Sequence, residues 1–318
     1  MKLIIRQLFL LFTLAISFSC LAEEKTALIV KSSDKKIYQS LIDSLQASTE
    51  HNAHDNISFT EVSLSDSLAQ TNILNLRKDY DLIITIGTIA TQQIINSKPA
   101  SPVYSVLVPK KTYHSILENA ALTEDLENKY HAIYLDQPPS RYLALLSALM
   151  PNTSTLGALS SPNSQRSVQQ LKEESKQLDY SLYIESAKEN DEVAQAAKQL
   201  FRNIDALIAV PDPIIYNKQN AKWLLYMSYR QKIPVIAYSE SFVKAGALAA
   251  IYSTPEQIGF QLGELLQQHV VSNDMALTQS EHPKYYKTSI NSTVAKSLNI
   301  TIPDLTNVEN LAPEENRR

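Results

Sequence analysis

The amino-acid sequence predicts an α/β fold built from two doubly wound units, each with a parallel sheet. Short runs of β-branched and apolar residues alternate with longer amphipathic stretches over nearly the whole chain. Alternation of this kind is typical of parallel strands that are covered by helices on both faces. A weak internal repeat then indicates two such units in tandem.

The repeat joins two long segments of the chain. "YDLIITIGTIATQQIINSKPASPVYSVLV" (80–108) resembles "IDALIAVPDPIIYNKQNAKWLLYMSYRQKIPVIAYS" (204–239), since each has an Asp, an apolar strand, a polar loop, a helix and a Pro-Val strand. "TALIVKSSDKKIYQSLIDSL" (26–45) likewise resembles "TLGALSSPNSQRSVQQLKEE" (155–174). Because the loops agree as well as the strands, two similar open α/β units are the simplest interpretation.

Ten strands and six helices are predicted from the apolar periodicity, in chain order. The predicted strands cover 26–30, 57–62, 80–86, 103–108, 132–135, 155–160, 180–185, 205–210, 234–238 and 247–252. The predicted helices cover 35–48, 88–96, 139–149, 165–178, 191–203 and 218–231.

Composition limits both the size and the class of the protein. The chain has 318 residues, of which 44% are hydrophobic and 19% charged, and this is enough to bury a core in one or two domains. Its formal net charge is −4, without a concentrated basic face, so nucleic acid is not an expected partner.

The first 22 residues have the layout of a signal peptide. Lys2 and Arg6 precede an apolar run, and small residues lead to a cleavage site after Ala22. Cleavage there removes Cys20, the only cysteine, and leaves an exported, periplasmic chain without disulfides. The alternative is a lipoprotein attached through Cys20.

Four polar loops come directly after predicted strands in the two repeats, at 31–34, 87–91, 160–164 and 211–217. Ligands of doubly wound sheets bind outside the carboxyl ends of the strands, so these loops are the expected binding surface. The candidate ligand-binding residues from the first unit are Ser32, Ser33, Gly87 and Thr88. Each of them has capping of the adjacent helix as an alternative role.

The segment "DALIAVPDPIIYN" (205–217) contributes the candidate carboxylate. Proline cannot continue a central strand, so the strand ends near Val210 and Asp212 lies at the cleft between two prolines. A fixed carboxylate there suits an ammonium group or a sugar hydroxyl, with Tyr216 and Asn217 beside it. The alternative is that Asp212 caps the helix near Lys218 or closes a turn between the prolines.

The segment "SSPNSQRS" provides the complementary half. Ser161, Asn163 and Ser164 precede a helix whose free N–H groups attract an anion, and Arg166 in its first turn is a candidate for a ligand carboxylate. Ordinary helix capping is the alternative. Ser239, at the end of another predicted strand, completes the candidates.

The hinge residues and the tyrosines are the last two groups that the sequence singles out. Asp136 and Gln137 are expected to form a hinge and to cap the helix at 139–149 rather than to contact ligand. Sixteen tyrosines against five glycines are unusual, and rings lining a cleft would accept an aromatic or flat ligand. The tyrosines at or near predicted strand ends are Tyr104, Tyr216, Tyr238 and Tyr252.

Motifs typical of enzymes are absent from the sequence. It has no Gly-x-Ser-x-Gly turn, no phosphate loop and no dinucleotide fingerprint, and five glycines leave little scope for a phosphate cradle. His51 and His54 lie in a polar loop where solvated side chains are far more common than a metal site. We therefore expect no enzyme activity, no cofactor and no metal.

Three segments resemble the periplasmic substrate-binding proteins of ABC transporters, in the group that includes aromatic-amino-acid binders. They are "AIYLDQPPSRYLALLSALMP" (132–151), "DALIAVPDPIIYN" and "IPVIAYSESFVKAGALAAIYSTPEQIG" (233–259). The resemblance extends over about residues 26–300. It implies a type I periplasmic binding fold: two Rossmann-like lobes joined by a hinge that the chain crosses three times, with ligand held in the cleft.

The resemblance also implies a domain map. The first crossing is expected near 135–138, the second within "ESFVKAGAL" beside Gly246, and the third around 272–285. The first lobe would then comprise 23–135 and about 246–272, and the second 136–245 and about 283–302. The tail at 303–318 is polar and is expected to be disordered.

These observations together predict a periplasmic, monomeric solute-binding protein. It would close around a small polar ligand, with an aromatic amino acid as one candidate, and deliver it to an ABC permease. The alternative is a module of the same fold that docks on a membrane signalling receptor. A periplasmic α/β enzyme is a third and weaker alternative.

Overall fold

Two sheets of mainly parallel strands form the framework of the molecule, which we describe from a computed structural model. The structure describes residues 25–50, 57–65, 80–272 and 280–310. The first sheet has the order β2-β1-β3-β4-β5, and all its strands are parallel. Its strands are β1 (Lys25–Lys31), β2 (Ile57–Ser63), β3 (Leu82–Ile86), β4 (Val103–Val108) and β5 (Tyr130–Tyr134).

The second sheet has the order β11-β10-β9-β8-β6-β7. It is parallel except for β11, which pairs antiparallel with β10 at the edge. The prediction of two α/β units with parallel sheets is confirmed, with the addition of this antiparallel edge strand. The strands are β6 (Thr155–Ser160), β7 (Ser181–Ser186), β8 (Ala206–Ile208), β9 (Val235–Ala237), β10 (Ala249–Tyr252) and β11 (Lys287–Ile290).

Helices cover both faces of both sheets. In the first lobe they are α1 (Lys36–Glu50), α2 (Thr88–Asn96), α3 (Lys110–Ala120), α4 (Glu124–Glu127) and, from later in the chain, α10 (Pro255–Ser272). In the second lobe they are α5 (Pro139–Leu149), α6 (Gln165–Gln177), α7 (Val193–Leu200), α8 (Lys218–Arg230), α9 (Glu240–Ala245) and α11 (Ser292–Ser297).

The alternation of side chains along β1 shows how one strand serves two cores. Leu28 and Val30 pack into the cluster beneath α2 and α3, whereas Ala27 and Ile29 pack into the cluster beneath α1 and α10. All four side chains are fully buried. A strand that is buried on both faces must be apolar throughout, which is why the sequence of β1 reads as a continuous apolar run.

Helices α1 and α10 approach each other closely because α10 carries two glycines at the contact. A Cβ at Gly259 would overlap the carbonyl oxygen of Leu41, and one at Gly263 would overlap Ser48 Oγ. Ser44 Oγ donates to the carbonyl of Glu256 at 2.8 Å across the same contact. The return of the chain to the first lobe is therefore fixed by backbone-to-backbone packing.

The chain crosses between the lobes at three places. It leaves β5 at Tyr134 and enters α5 at Pro139, and it returns between Tyr252 and Pro255. The third crossing begins at Glu281, which forms a bridge with Ile133 beside β5, and ends at β11 in the second sheet.

The position of the second crossing corrects the sequence-based domain map. We expected residues from about 246 onward to belong to the first lobe, but β10 pairs with β9 and β11 in the second sheet. Gly246 has φ +121° and forms the turn between α9 and β10 within the second lobe. The glycine marks a real turn, but the crossing comes one strand later, where Pro255 begins α10.

A polar network joins the three crossings. Gln137 Nε2 on the first donates to Ser253 Oγ on the second at 2.8 Å, and Ser253 Oγ donates to the carbonyl of Tyr285 on the third at 2.5 Å. Arg141 donates to Gln137 Oε1 at 2.5 Å and to the carbonyl of Pro283 at 2.7 Å. The three connecting segments are therefore joined to one another by side-chain hydrogen bonds.

The chain beyond residue 302 also departs from expectation. Leu305 and Val308 pack against the second lobe, and Asn310 forms a bridge with Tyr286. Glu309 accepts hydrogen bonds from the N–H and hydroxyl of Thr288. The expectation of disorder is wrong for 303–310, while 311–318 lie outside the described residues, as do the predicted signal peptide, Cys20 and the His51–His54 pair. Across the ranges that the structure describes, no helix is long and apolar enough to span a membrane.

Candidate functional site

A cavity of about 520 Å³ lies between the two lobes and against the hinge. This volume falls within the range typical of small-molecule sites. The hinge contributes Asp136, Gln137 and His282 to the wall, and helix α5 contributes Pro139 and Tyr142. Residues of both lobes complete the lining, so the size and shape of the cavity depend on how the lobes are placed.

The wall from the first lobe is a single loop and the start of α3. A bulge breaks the register between β4 and β5 after Val106, and Leu107 there has φ +55°. Bulges bend a strand and redirect the chain beyond it, here the loop that enters the cavity. The lining residues of this wall are Pro109, Lys110, Lys111, Thr112 and Ser115.

The wall from the second lobe combines aromatic rings with polar groups. The rings of Tyr216 and Tyr238 meet edge to face at 6.1 Å between centroids, and Phe242 packs against both. Burial raises the pKa of both tyrosines, so both are neutral at physiological pH. The lining residues of this wall are Asn163, Ser167, Gln170, Leu171, Ile208, Val210, Pro211, Asp212, Pro213, Tyr216 and Tyr238.

Asp212 lies at the cavity, but its carboxylate is occupied by the protein itself. Oδ2 accepts hydrogen bonds from the hydroxyls of Ser161 at 2.6 Å and Ser164 at 2.5 Å. Oδ1 accepts from the N–H groups of Ile214 at 2.8 Å and Ile215 at 3.1 Å. These four bonds hold the turn between the two prolines and fasten it to the β6–α6 loop. The geometry therefore agrees with the turn-closing alternative.

The other residues predicted from the second lobe separate into two groups. Asn163 lines the cavity, and Ser161 and Ser164 hold Asp212 through their hydroxyls. Arg166 points elsewhere: its side chain is 79% exposed and lies 3.9 Å from Glu118. Ser239 pairs with Ser241 through their hydroxyls at 2.8 Å and does not line the cavity.

The residues predicted from the first lobe lie outside the cavity lining. Ser32 Oγ donates to the carbonyl of Ile86 and accepts from the N–H of Ala90, so it fastens the β3–α2 turn. Gly87 has φ +88°, and a Cβ there would lie 2.7 Å from Tyr38 Oη. The cavity lining also lacks Ser33 and Thr88, which neighbour these two residues.

Asp136 and Gln137 do more than we expected from the sequence. Both line the cavity, and Asp136 Oδ2 accepts from the backbone N–H of Lys110 at 2.5 Å, at the start of α3. The expected capping of α5 does not occur, since that helix has no side-chain cap. Desolvation raises the pKa of the Asp136 carboxyl, and the hydrogen bond and charge of Lys110 oppose this shift.

Lys111 connects the two lobes across the cavity mouth. Its Nζ donates to the carbonyl of Pro162 at 3.0 Å and to that of Asn163 at 2.7 Å. An ammonium group that bonds two carbonyls of the opposite lobe stabilises the arrangement in which the lobes are close together.

Three parts of the cavity wall were not predicted from the sequence. They are the β4–α3 loop, Tyr142 on α5 and His282 on the third crossing. The loop had a usable signal, because "PKK" (109–111) directly follows a predicted apolar strand, where binding loops of parallel sheets lie. Tyr142 and His282 had no such signal. Their positions depend on how α5 and the third crossing pack, and local sequence does not encode that.

The fold and the interlobe cavity define a class of two-lobed ligand-binding proteins, and comparison with known sequences identifies the family. A sequence profile described as "ABC transporter substrate binding protein" matches residues 26–312. The chain belongs to this family, as the resemblance of the three segments implied.

Known relatives are similar at a low level of identity. A tyrosine-binding protein of Clostridioides difficile (strain R20291) is 28% identical over 193 residues, which are 58% of this chain and 53% of the relative. The match thus spans about half the length of that curated relative.

Solved structures share the fold over most of the chain. A ligand-free, open substrate-binding protein with adhesive properties from Clostridium difficile has a TM-score of 0.73 at 20% identity, covering 90% of this chain and 99% of that one. An ABC domain in complex with L-Trp from Streptococcus pneumonia has a TM-score of 0.57 at 20% identity, with 91% and 99% coverage. At these identities the likeness shows the fold alone.

Proposed function

We propose that this protein is a solute-binding protein that closes its two lobes around a small polar ligand and delivers it to an ABC permease. The observation that carries the proposal is the cavity of about 520 Å³ whose wall is shared by both lobes and the hinge. A ligand that contacts both walls binds the closed arrangement better than the open one, so it shifts the population toward closure.

The proposed ligand class is an aromatic amino acid or a similar flat, polar molecule. Tyr142, Tyr216 and Tyr238 give the cavity large apolar faces, and Asp136, Lys110 and Asn163 place polar groups around them. A relative named for tyrosine binding and a structural neighbour that holds L-Trp support this class.

The proposed setting is the periplasm, where the mature chain acts as a monomer after cleavage behind Ala22. Family membership supports a membrane permease as the partner. An assay of uptake in cells, with and without the gene, would test delivery separately from binding.

A thermal-shift screen of the chain from Glu23 onward tests the binding function first. The panel holds amino acids, aromatic metabolites, sugars and nucleosides. A ligand at 100 times its dissociation constant adds about 2.7 kcal/mol, a shift of several degrees. Small-angle scattering with each hit then measures closure. Hits that leave the radius of gyration unchanged contradict the closing mechanism, and a folded protein that no compound stabilises contradicts the ligand class.

A further inference from the structure

Two carboxylates line the cavity, Asp136 and Asp212, and they differ in how many hydrogen bonds they accept from the protein. Asp212 has four hydrogen bonds from the protein and is held in its turn. Asp136 has one, from the N–H of Lys110 to Oδ2, and among the described residues none to Oδ1. A carboxylate accepts about four hydrogen bonds, so Asp136 retains most of its capacity for a ligand.

The charge of Lys110 acts on Asp136 only from a distance. No described residue forms an ion pair with it, because Lys110 Nζ lies over the ring of Tyr134, 5.6 Å from the centroid. The imidazole of His282 bonds the Asp136 backbone carbonyl instead of the carboxylate, at 2.8 Å. A half-buried carboxylate that has no ion-pair partner among the described residues favours a cation that enters the cavity with the ligand.

The rings near Asp136 suit the same end of a ligand. Tyr142 lines the same cavity as Asp136. Burial raises the pKa of its phenol, and the charge of Asp136 raises it further. The faces of tyrosine rings attract cations, so a protonated amine here gains from the rings as well as from the carboxylate.

We propose that Asp136, at the first hinge crossing, recognises a protonated amine of the ligand, and that Asp212 is a positioning residue for the second-lobe wall. This inference rests on the proposed binding function and identifies the residue that binds the ammonium group of the ligand. It also gives the ligand class a chemical requirement: a primary amine next to an aromatic or apolar body.

The test compares paired probes by isothermal titration. The amines are L-tyrosine, L-tryptophan and L-phenylalanine, and the partners are the same molecules without the amino group: 3-(4-hydroxyphenyl)propanoate, indole-3-propanoate and 3-phenylpropanoate. The variants are Asp136→Asn, which keeps an oxygen for the N–H of Lys110, and Asp191→Asn, which removes the same charge from an exposed site outside the cavity. Thermal unfolding checks that each variant is folded.

We expect at least one amine to bind the natural protein about 10- to 100-fold more tightly than its partner without the amine. Asp136→Asn should reduce this ratio to within about threefold of unity by weakening the amine alone, and Asp191→Asn should leave it unchanged. An unchanged ratio in Asp136→Asn, or a protein that binds no amine, overturns the inference. If compounds without an amine bind and compact the protein, the solute-binding function stands and the inference alone fails. If no probe or panel compound binds, both fail.

Discussion

At the scale of single residues, Tyr216 stands out for what its hydroxyl lacks. The side chain is 9% exposed and lines the cavity, and its hydroxyl is enclosed without a hydrogen-bond partner among the described residues. A buried polar group without a partner costs about 1–3 kcal/mol. The wall of the cavity therefore contains an unfavourable group.

Replacing Tyr216 by Phe should therefore stabilise the ligand-free protein, by about 1 kcal/mol, because the enclosed hydroxyl is removed and the ring is kept. Equilibrium urea unfolding measures the change. Tyr130→Phe is the matched control: the Tyr130 hydroxyl donates to the carbonyl of Pro99 at 2.7 Å, so its loss should destabilise by a similar amount. A Tyr216→Phe variant less stable than the natural protein would contradict this account.

Asp136 gives an expectation for pH dependence. Burial raises the pKa of this carboxyl in the folded protein, so the folded state binds its proton more tightly than the unfolded chain does. The ionised carboxyl therefore lowers the free energy of unfolding. This loss is absent below the pKa of the carboxyl in the unfolded chain, about 3.9, grows as pH rises and is complete above its pKa in the folded protein. Asp136→Asn should thus raise the free energy of unfolding at pH 7.

The gain in Asp136→Asn should shrink as the pH approaches about 3.5, where the natural carboxyl is largely protonated in both states. Urea unfolding at a series of pH values measures it, with Asp191→Asn as the control for net charge. A gain that is the same at all pH values would mean that it does not come from the ionisation of Asp136.

At the scale of secondary-structure elements, the contact of α1 with α10 leaves no room for a side chain at two glycines of α10. Gly259→Ala drives a methyl group into the carbonyl oxygen of Leu41, which is backbone and cannot rotate away. We expect destabilisation of about 1–3 kcal/mol or more in thermal or urea unfolding. Glu256→Ala, on an exposed side of the same helix, should stay within about 0.5 kcal/mol. Equal effects of the two changes would argue against tight packing at the glycine.

The elements also show how far the sequence determines the fold. All ten predicted strands are present. Those inside the sheets, such as β1, β3 and β6, are buried apolar runs that are visible locally, and the edge strands β2 and β7 keep enough β-branched and aromatic residues to be recognised. The edge strand β11 (Lys287–Ile290) was missed, since its residues are only partly buried and its sequence, KTSI, has no apolar run. The second crossing, which the resemblance placed beside Gly246, lies one strand later, after β10. Local sequence does not distinguish a turn within a lobe from a turn between lobes.

The candidate site was less predictable than the strands. The position of Asp212 at the end of a strand could be predicted from the two prolines that flank it. The hydroxyls of Ser161 and Ser164 both donate to one carboxylate oxygen of Asp212. This is a tertiary contact between segments far apart in the chain, and local sequence patterns do not show it. Asp136 was correctly placed at the hinge, but its access to the cavity depends on how the lobes meet.

At the scale of the whole molecule, Lys111 is a direct polar link between the lobes. Lys111→Ala removes two hydrogen bonds to carbonyls of the second lobe and should favour the open arrangement by about 0.5–1 kcal/mol. We expect a larger radius of gyration in the ligand-free protein by small-angle scattering, and about two- to fivefold faster release of any bound ligand.

Lys172→Ala, which removes an exposed lysine from α6 outside the cavity, is the control for the loss of charge. If Lys111→Ala matches this control in both scattering and ligand release, the link does not contribute to closure.

The return of α10 to the first lobe affects the order in which the protein is built. The contact of Ser44 with Glu256 joins residues 212 positions apart, so α1 leaves the ribosome long before its partner helix exists. At about 5–20 residues per second this interval is about 10–40 s. During it the apolar face of α1, including Leu41 and Leu45, has no helix to cover it. The core of the first lobe can therefore be completed only after most residues of the second lobe have been made.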